Sequence, residues 1–189
     1  MNIYPKEYFE YLNRSERKVD VKPFILISSI LVFSFSFLFI SPLIHEFSHV
    51  TFLKMNNCFY NIYSNLNPMT GFYAVIIPFT PMSPLRTFFA LLSGIFGSYL
   101  ILAFIYNLCK KVKDPKIKLL ISSLILGFFI DILINSFNGD MVIALNMLGL
   151  PKFISLTSLF LFFAPLTFFM FKKFIENLND FLDGSTVNS

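Results

Sequence analysis

The chain has 189 residues, of which 56% are hydrophobic and only 14% charged, against roughly 25% charged residues in soluble domains. Its mean hydropathy is +0.69, and its formal net charge of +4 comes from short clusters of lysine and arginine beside apolar runs. This pattern excludes the basic surface of a nucleic-acid-binding protein and predicts one integral membrane domain, with no second globular domain.

The N-terminal part of the chain predicts an interfacial segment followed by a transmembrane helix. Residues 1–23 are polar and mixed in charge, with aromatic residues at the spacing of a short interfacial helix. The apolar run from Phe24 to Ile40 is too long for a secretory signal peptide and lacks a small-residue cleavage site, so we expect it to be the first span. Pro42 is expected to kink this helix near its end.

Residues 55–84 are too interrupted to cross a membrane. Asparagine, glycine and proline punctuate this stretch, whereas 72–77 is a short run of aromatic, β-branched and small apolar residues that predicts a strand. We therefore expect a hairpin or a re-entrant loop, packed on protein or lining a wet cavity.

Three further apolar runs predict the remaining spans, at 87–108, 117–137 and 153–171. Between the last two, residues 139–150 predict a half-helix that Pro151 ends or kinks. The expected fold class is an all-α polytopic membrane protein with about four transmembrane helices and a short strand or re-entrant loop between the first and the second.

The basic residues predict the topology. They cluster before the first span, between the second and third spans, and after the last: Arg14, Arg17, Lys18, Lys22, Lys110, Lys111, Lys113, Lys116, Lys118, Lys172 and Lys173. The positive-inside rule then places both termini in the cytoplasm, with a membrane domain at 24–171 and a cytoplasmic tail at 172–189. In this arrangement in the cell membrane, Cys58 and Cys109 lie on opposite sides and cannot pair.

The motif with the clearest chemistry is HEFSH at 45–49, which holds the only two histidines of the chain. On a helix, His45 and His49 share one face and can bind one Zn²⁺, while Glu46 can serve as the general base for a metal-activated water. The alternative is a polar cluster that contacts a partner helix or a lipid head group. The exclusive pairing of both histidines around Glu46 favours zinc.

A catalytic zinc takes three protein ligands, so a carboxylate or a cysteine must complete this set. The candidates near apolar spans are Asp131, Asp140 and Cys58. The predicted topology places the end of the third span on the side of HEFSH, which favours the two aspartates. Asp140 follows Gly139 at a predicted helix start, where the backbone can approach closely, and it is our expected third ligand.

Asp131 lies inside the third span, where an ionisable side chain is unfavourable unless it has a partner. It is therefore expected either to bind the metal or to support a ligand, and we favour the second role. Asn135 and Asn138 are candidates for hydrogen bonds to substrate, although ordinary capping at the end of a helix explains them equally well.

Three segments, in this order along the chain, resemble the site-2 protease family of intramembrane zinc metalloproteases. They are HEFSH at 45–49, SGIFGS at 93–98 and NSFNGD at 135–140, which stand where that family has HExxH, a small-residue motif and an aspartate ligand beside glycine. The small residues at 93–98 equally predict close helix packing. The resemblance implies a site near the cytosolic face, whereas the charge pattern places it on the outer side.

The expected function is therefore a zinc metalloendopeptidase that hydrolyses peptide bonds of transmembrane or membrane-associated polypeptides through a zinc-activated water. The predicted strand at 72–77 would offer a sheet edge to an extended substrate. One alternative is a membrane metallopeptidase that trims signal or secreted peptides. Another is a catalytically inert zinc-binding scaffold, against which the intact Glu46 argues, because a structural site needs no base.

Overall fold

The computed structural model describes residues 21–67 and 71–184, which form long helices and one β-hairpin. The first rod consists of α1 (Lys22–Phe35), a π-helical segment (Ser36–Ile40) and α2 (Ser41–Met55). The hairpin follows, and then the other helices: β1 (Tyr60–Asn67), β2 (Gly71–Pro78), α3 (Pro84–Cys109), α4 (Pro115–Asn138), α5 (Asp140–Met147) and α6 (Lys152–Gly184).

The predicted mainly helical architecture is confirmed for these residues. Four helical stretches are long and apolar enough to cross a membrane, at Lys22–Met55, Pro84–Cys109, Pro115–Met147 and Lys152–Asp183. The hairpin contains the predicted strand, and α5 occupies the predicted half-helix. The interfacial helix predicted near the N-terminus falls largely on residues 1–20, which lie outside the described part of the chain.

The last helix extends past residue 172, where the sequence predicts the start of a cytoplasmic tail. Helix α6 continues through both lysines to Gly184. No proline or glycine interrupts 172–183, and Met170, Asn177 and Phe181 are all buried at 8% exposure or less. These residues are seven and four positions apart and therefore lie on one face of the helix. The face that packs against the bundle within the span thus continues past residue 172.

Small residues let α1 pack closely alongside α4. The hydroxyls of Ser29 and Ser123 lie 2.5 Å apart, and Ser36 Oγ donates to the Leu124 carbonyl at 2.7 Å. Gly127 lies against the Phe33 carbonyl, where a Cβ would overlap the backbone. These contacts place α1 and α4 side by side in the same direction, in the manner of small-residue contacts between membrane helices.

The π-helical segment keeps two serines of the first rod facing α4. Five residues of α-helix turn the chain by about 500°, so Ser36 and Ser41 would point about 140° apart in an uninterrupted α-helix. The Ser41 N–H instead bonds to the Ser36 carbonyl five residues earlier. As a result Ser41 Oγ also reaches α4, where it donates to the Phe128 carbonyl at 3.3 Å.

Pro42 follows this segment directly, so the predicted disturbance of the helix takes the form of a π-helical segment. Proline has no N–H, and the Leu38 carbonyl therefore loses its α-helical partner four residues on. Gly71, the first residue of β2, packs against that carbonyl with a φ of 85°. A side chain at Gly71 would meet the Leu38 oxygen, so glycine lets the hairpin dock on the helix.

Helix α4 is central to the bundle. Phe128 and Phe129 are fully buried, and the core around them comes from α3, α4 and α6: Ile95, Leu102, Cys109, Ile125, Ile132 and Met170. Helices α3 and α6 run antiparallel to α4, because the ends of both helices lie beside its first turns, where Lys118 pairs with Asp180 of α6. The HEFSH motif and the start of α5 consequently meet at the opposite end, beside the hairpin.

Candidate metal centre

The two histidines of α2 converge on one point. His45 and His49 lie one helical turn apart, and their Nε2 atoms are 3.1 Å from each other. His45 is only 5% exposed, which places its imidazole inside the bundle. Two ring nitrogens aimed at the same space are the arrangement that the spacing of the motif predicts.

Asp140 completes the group from the first residue of α5. Its Oδ2 atom lies 3.0 Å from His45 Nε2 and 2.8 Å from His49 Nε2. Atoms that bind one tetrahedral zinc at about 2.0–2.1 Å lie about 3.3 Å from one another, so this triangle needs only a small expansion to hold the ion. Among the described residues, these three form the group that could hold a metal ion.

The other candidates for the third ligand lie apart from this group. Cys58 is buried after the end of α2, and its thiol donates to the Asn56 carbonyl. Asp131 is also buried, but it lies deeper in α4 and faces a separate cavity. Of the three candidates, Asp140 is the one that lies in the group that could hold a metal ion.

A backbone carbonyl orients His49. The Nδ1 atom of His49 donates to the Ala90 carbonyl at 2.7 Å, so the other ring nitrogen, Nε2, faces Asp140 and is the atom available to bind a metal. Ser93 Oγ also donates to that carbonyl at 2.7 Å and lies 3.2 Å from Nδ1. Such a partner fixes the tautomer of a metal-binding histidine. The sequence gives no sign of Ala90, because its contribution comes from the main chain.

Two glycines of α3 make room for α2. A Cβ at Gly94 would come within 2.7 Å of His45 Cε1 and closer still to His49 Nε2, and one at Gly97 would overlap Ser48. Close packing therefore accounts for the small residues at 93–98. At Gly94 the packing partners are the two histidines themselves, so the motif also shapes the metal centre.

Glu46 lies at the mouth of the centre. With His49 and Asp140 it lines a cleft of about 360 Å³. Four residues of β2 line the same cleft, Ala74, Val75, Ile76 and Pro78. A group that enters this cleft would meet the Glu46 carboxylate together with His49 and Asp140, whereas His45 lines a neighbouring cavity.

The strand that lines the cleft has one unpaired edge among the described residues. Strand β2 pairs with β1 in antiparallel register, and the Phe79 N–H donates to the Phe59 carbonyl at 2.8 Å just beyond the ladder. Because hydrogen-bonded pairs alternate along such a ladder, the backbone groups of Phe72, Ala74 and Ile76 point away from β1. They form a free edge next to the metal centre.

A second cavity, of about 290 Å³, lies on the other side of Glu46. It contains Asp131 and Asn135 of α4, and the Asn135 amide donates to Asp131 Oδ1 at 3.2 Å. The Asp131 Oδ2 atom is buried and has no hydrogen-bond partner among the described residues. His45 lines this cavity too, so Asp131 lies near one histidine but outside the triangle. The side chain of Asn138, the last residue of α4, lies outside the described structure.

Comparisons with known proteins give no match. The chain matches no protein-family model, no curated protein and no solved structure. The similarity to the site-2 protease family consequently rests on the three sequence segments.

Proposed function

We propose that this chain is an intramembrane zinc metalloprotease that hydrolyses peptide bonds of transmembrane or membrane-associated polypeptides. The observation that supports the proposal most is the convergence of His45, His49 and Asp140 beside a cleft that Glu46 also lines. The four apolar helical stretches support a location in the lipid bilayer of the cell membrane.

We infer zinc because the two histidines stand in an HExxH motif with Glu46, which is typical of zinc peptidases, whereas two histidines and a carboxylate alone also occur in non-haem iron sites. Two imidazoles and one carboxylate with a fourth position left open are typical of catalytic zinc, whereas structural sites are closed by a fourth protein ligand. Within the described ranges, no cysteine or further acidic residue joins the group as a fourth ligand. When bound, Zn²⁺ would supply Lewis acidity, which lowers the pKa of a water molecule and polarises a carbonyl.

Residues of the chain would supply proton transfer, hold a histidine in the required tautomer and exclude water. Glu46 would take a proton from the attacking water and deliver it to the leaving amine, because its carboxylate faces the same cleft as the ligands. The Ala90 carbonyl would hold His49 in the tautomer that the site requires. The buried position of His45 would limit the access of bulk water from the bundle side.

The shape of the cleft supports an extended polypeptide as the substrate. A helical substrate shields its carbonyls in its own hydrogen bonds and must unwind before attack. The free edge of β2 could pair with the unwound segment as an added strand, with backbone contacts that tolerate many side chains. Ala74 and Ile76, whose backbone groups point away from β1, line the same cleft as His49 and Asp140.

The test compares wild type with Glu46→Gln in reconstituted vesicles that contain a panel of single-span membrane proteins. Glu46→Gln keeps the size of the side chain but removes its basicity, so we expect full zinc content and cleavage lower by about two to four orders of magnitude. Asp183→Asn, at the far end of the bundle, is the matched control and should cleave normally.

A strong zinc chelator should also abolish cleavage, and added zinc should restore it. Wild-type turnover by Glu46→Gln would overturn the proposed mechanism. Stoichiometric zinc without any Glu46-dependent cleavage across the panel would instead support the inert zinc-binding scaffold.

A further inference from the structure

A third cavity, of distinct chemistry, lies at the end of the bundle away from the metal centre. This crevice has a volume of about 290 Å³ and lies between the C-terminal end of α3, the first turns of α4 and the C-terminal part of α6. Its rim carries three lysines, Lys110, Lys118 and Lys173. The proposed proteolysis uses none of these residues.

The rim of the crevice carries excess positive charge. Lys118 pairs with Asp180 at 3.3 Å, and Lys173 pairs with Glu176 at 2.5 Å. The ammonium of Lys110 instead lies 4.7 Å from the centre of the Tyr106 ring and has no carboxylate partner within the described structure. The adjoining loop adds further lysines and a single aspartate. An anion entering the crevice would therefore meet a net positive field.

An unpaired amide points to a polar ligand. Asn177 of α6 is 8% exposed and lines the crevice, yet its side chain makes no hydrogen bond among the described residues. The amide atoms of Asn177 are not among the fully buried atoms without a partner, so they are accessible from the crevice and a ligand there can pair with them. The amide group can donate two hydrogen bonds, as an oxyanion requires.

The floor of the crevice is apolar. Ile125, Leu126 and Met170 line it, and each is no more than 8% exposed. A free inorganic ion would gain nothing from such a floor. A molecule with an anionic head and a hydrocarbon tail would match both the lysine rim and the apolar interior.

We propose that this crevice binds the phosphate group of an anionic phospholipid. Lys110 and Asn177 would donate hydrogen bonds to the phosphate oxygens, and part of an acyl chain would lie on the apolar floor. The inference depends on the proposed membrane location and is independent of the proposed proteolysis. Inorganic phosphate shares the head-group chemistry, so the experiment separates the two sources.

The absence of tryptophan from the chain offers a clean probe. Tyr106→Trp places a single tryptophan on the crevice wall and keeps an aromatic ring under Lys110. The full chain with this substitution is reconstituted in phosphatidylcholine vesicles that contain brominated phosphatidylglycerol or, at the same mole fraction, brominated phosphatidylcholine. Quenching of the tryptophan reports lipid contact and needs no cleavage assay.

We expect stronger quenching by the anionic lipid than by the zwitterionic lipid. Lys110→Gln in the same background should reduce this preference about fivefold, the usual contribution of one lysine near an anionic surface. Asn177→Leu should also reduce it, since the residue keeps its size but loses its donors. Lys113→Gln, an exposed lysine of the same loop that does not line the crevice, is the control for charge and should keep the preference.

Millimolar inorganic phosphate, added against a chloride control of equal ionic strength, identifies the source of the ligand. A preference that persists supports the lipid head group, whereas selective loss of the preference supports a site for free phosphate and overturns the lipid assignment. Equal quenching by both lipids, or equal effects of Lys110→Gln and Lys113→Gln, would overturn the site.

Discussion

Gly94 of α3 lies so close to His49 of α2 that a single added methyl group would overlap the imidazole. The same methyl group would also contact the ring of His45. The distance between the two helices is therefore set by the absence of a side chain at this position. Both imidazoles direct Nε2 towards Asp140, so any outward shift of α2 moves both ligands away from it.

The first prediction tests this close approach. Gly94→Ala should displace the imidazoles and lower zinc affinity by about 10–100-fold, the usual effect of disturbing the groups around a metal ligand. Zinc content of the purified protein measures the loss. Phe96→Ala, on the exposed face of the same helix, is the control. Equal zinc content in Gly94→Ala and wild type would show that the helices can separate without loss of the site.

The second prediction separates the two aspartates. Asp140→Asn should lose the metal and abolish cleavage, because a neutral amide is a much poorer zinc ligand than a carboxylate. Asp131→Asn should keep the metal and lose about 10–100-fold in affinity or activity. Metal analysis of both variants decides the matter. Zinc lost from Asp131→Asn but kept in Asp140→Asn would reverse the assignment.

The third prediction concerns the free edge of β2. Ile76 and Ile62 face each other across the hairpin, and both N–H groups point away from the ladder. Ile76→Pro removes a donor beside the cleft, so cleavage should fall about two- to tenfold, the value of one backbone hydrogen bond. Ile62→Pro removes the equivalent donor on the far edge and should leave cleavage unchanged. Equal effects of the two prolines would exclude strand addition at β2.

The fourth prediction addresses the direction of the chain across the bilayer. Cys58 and Cys109 are both buried at 6% exposure, so they are poor probes and are replaced by alanine. In that background, Lys54→Cys near the metal centre should react with an impermeant maleimide added to intact cells, and Lys113→Cys should react only after lysis. The reverse pattern would place the centre on the cytosolic side, as the resemblance to site-2 proteases implies.

Much of the candidate site follows from the sequence because its signals are local. A spacing of four residues places His45 and His49 on one helical face wherever a helix forms. Asp140 could be preferred because a glycine precedes it at the end of an apolar run. The strand at 72–77 could be predicted because prolines, glycine and asparagines exclude a membrane span around it.

Other features depend on contacts between distant residues and leave no local pattern. The Ala90 carbonyl orients His49, but every residue has a carbonyl. The continuation of α6 beyond residue 172 depends on the burial of Asn177 and Phe181, which a count of charges does not reveal. The π-helical segment depends on the match between the first rod and the carbonyls of α4.

This π-helical segment has a consequence for recognising the site in other chains. Each residue of an α-helix adds about 100° of rotation, so the length of Ser36–Ile40 determines the direction in which the next helix faces. If these five residues wound as ordinary α-helix, every letter of HEFSH would be unchanged, and yet both imidazoles would turn by on the order of 100° away from Asp140, because five α-helical residues turn about 500° instead of closing one turn. An intact motif therefore identifies a metal centre only when the helix before it has the correct rotational phase.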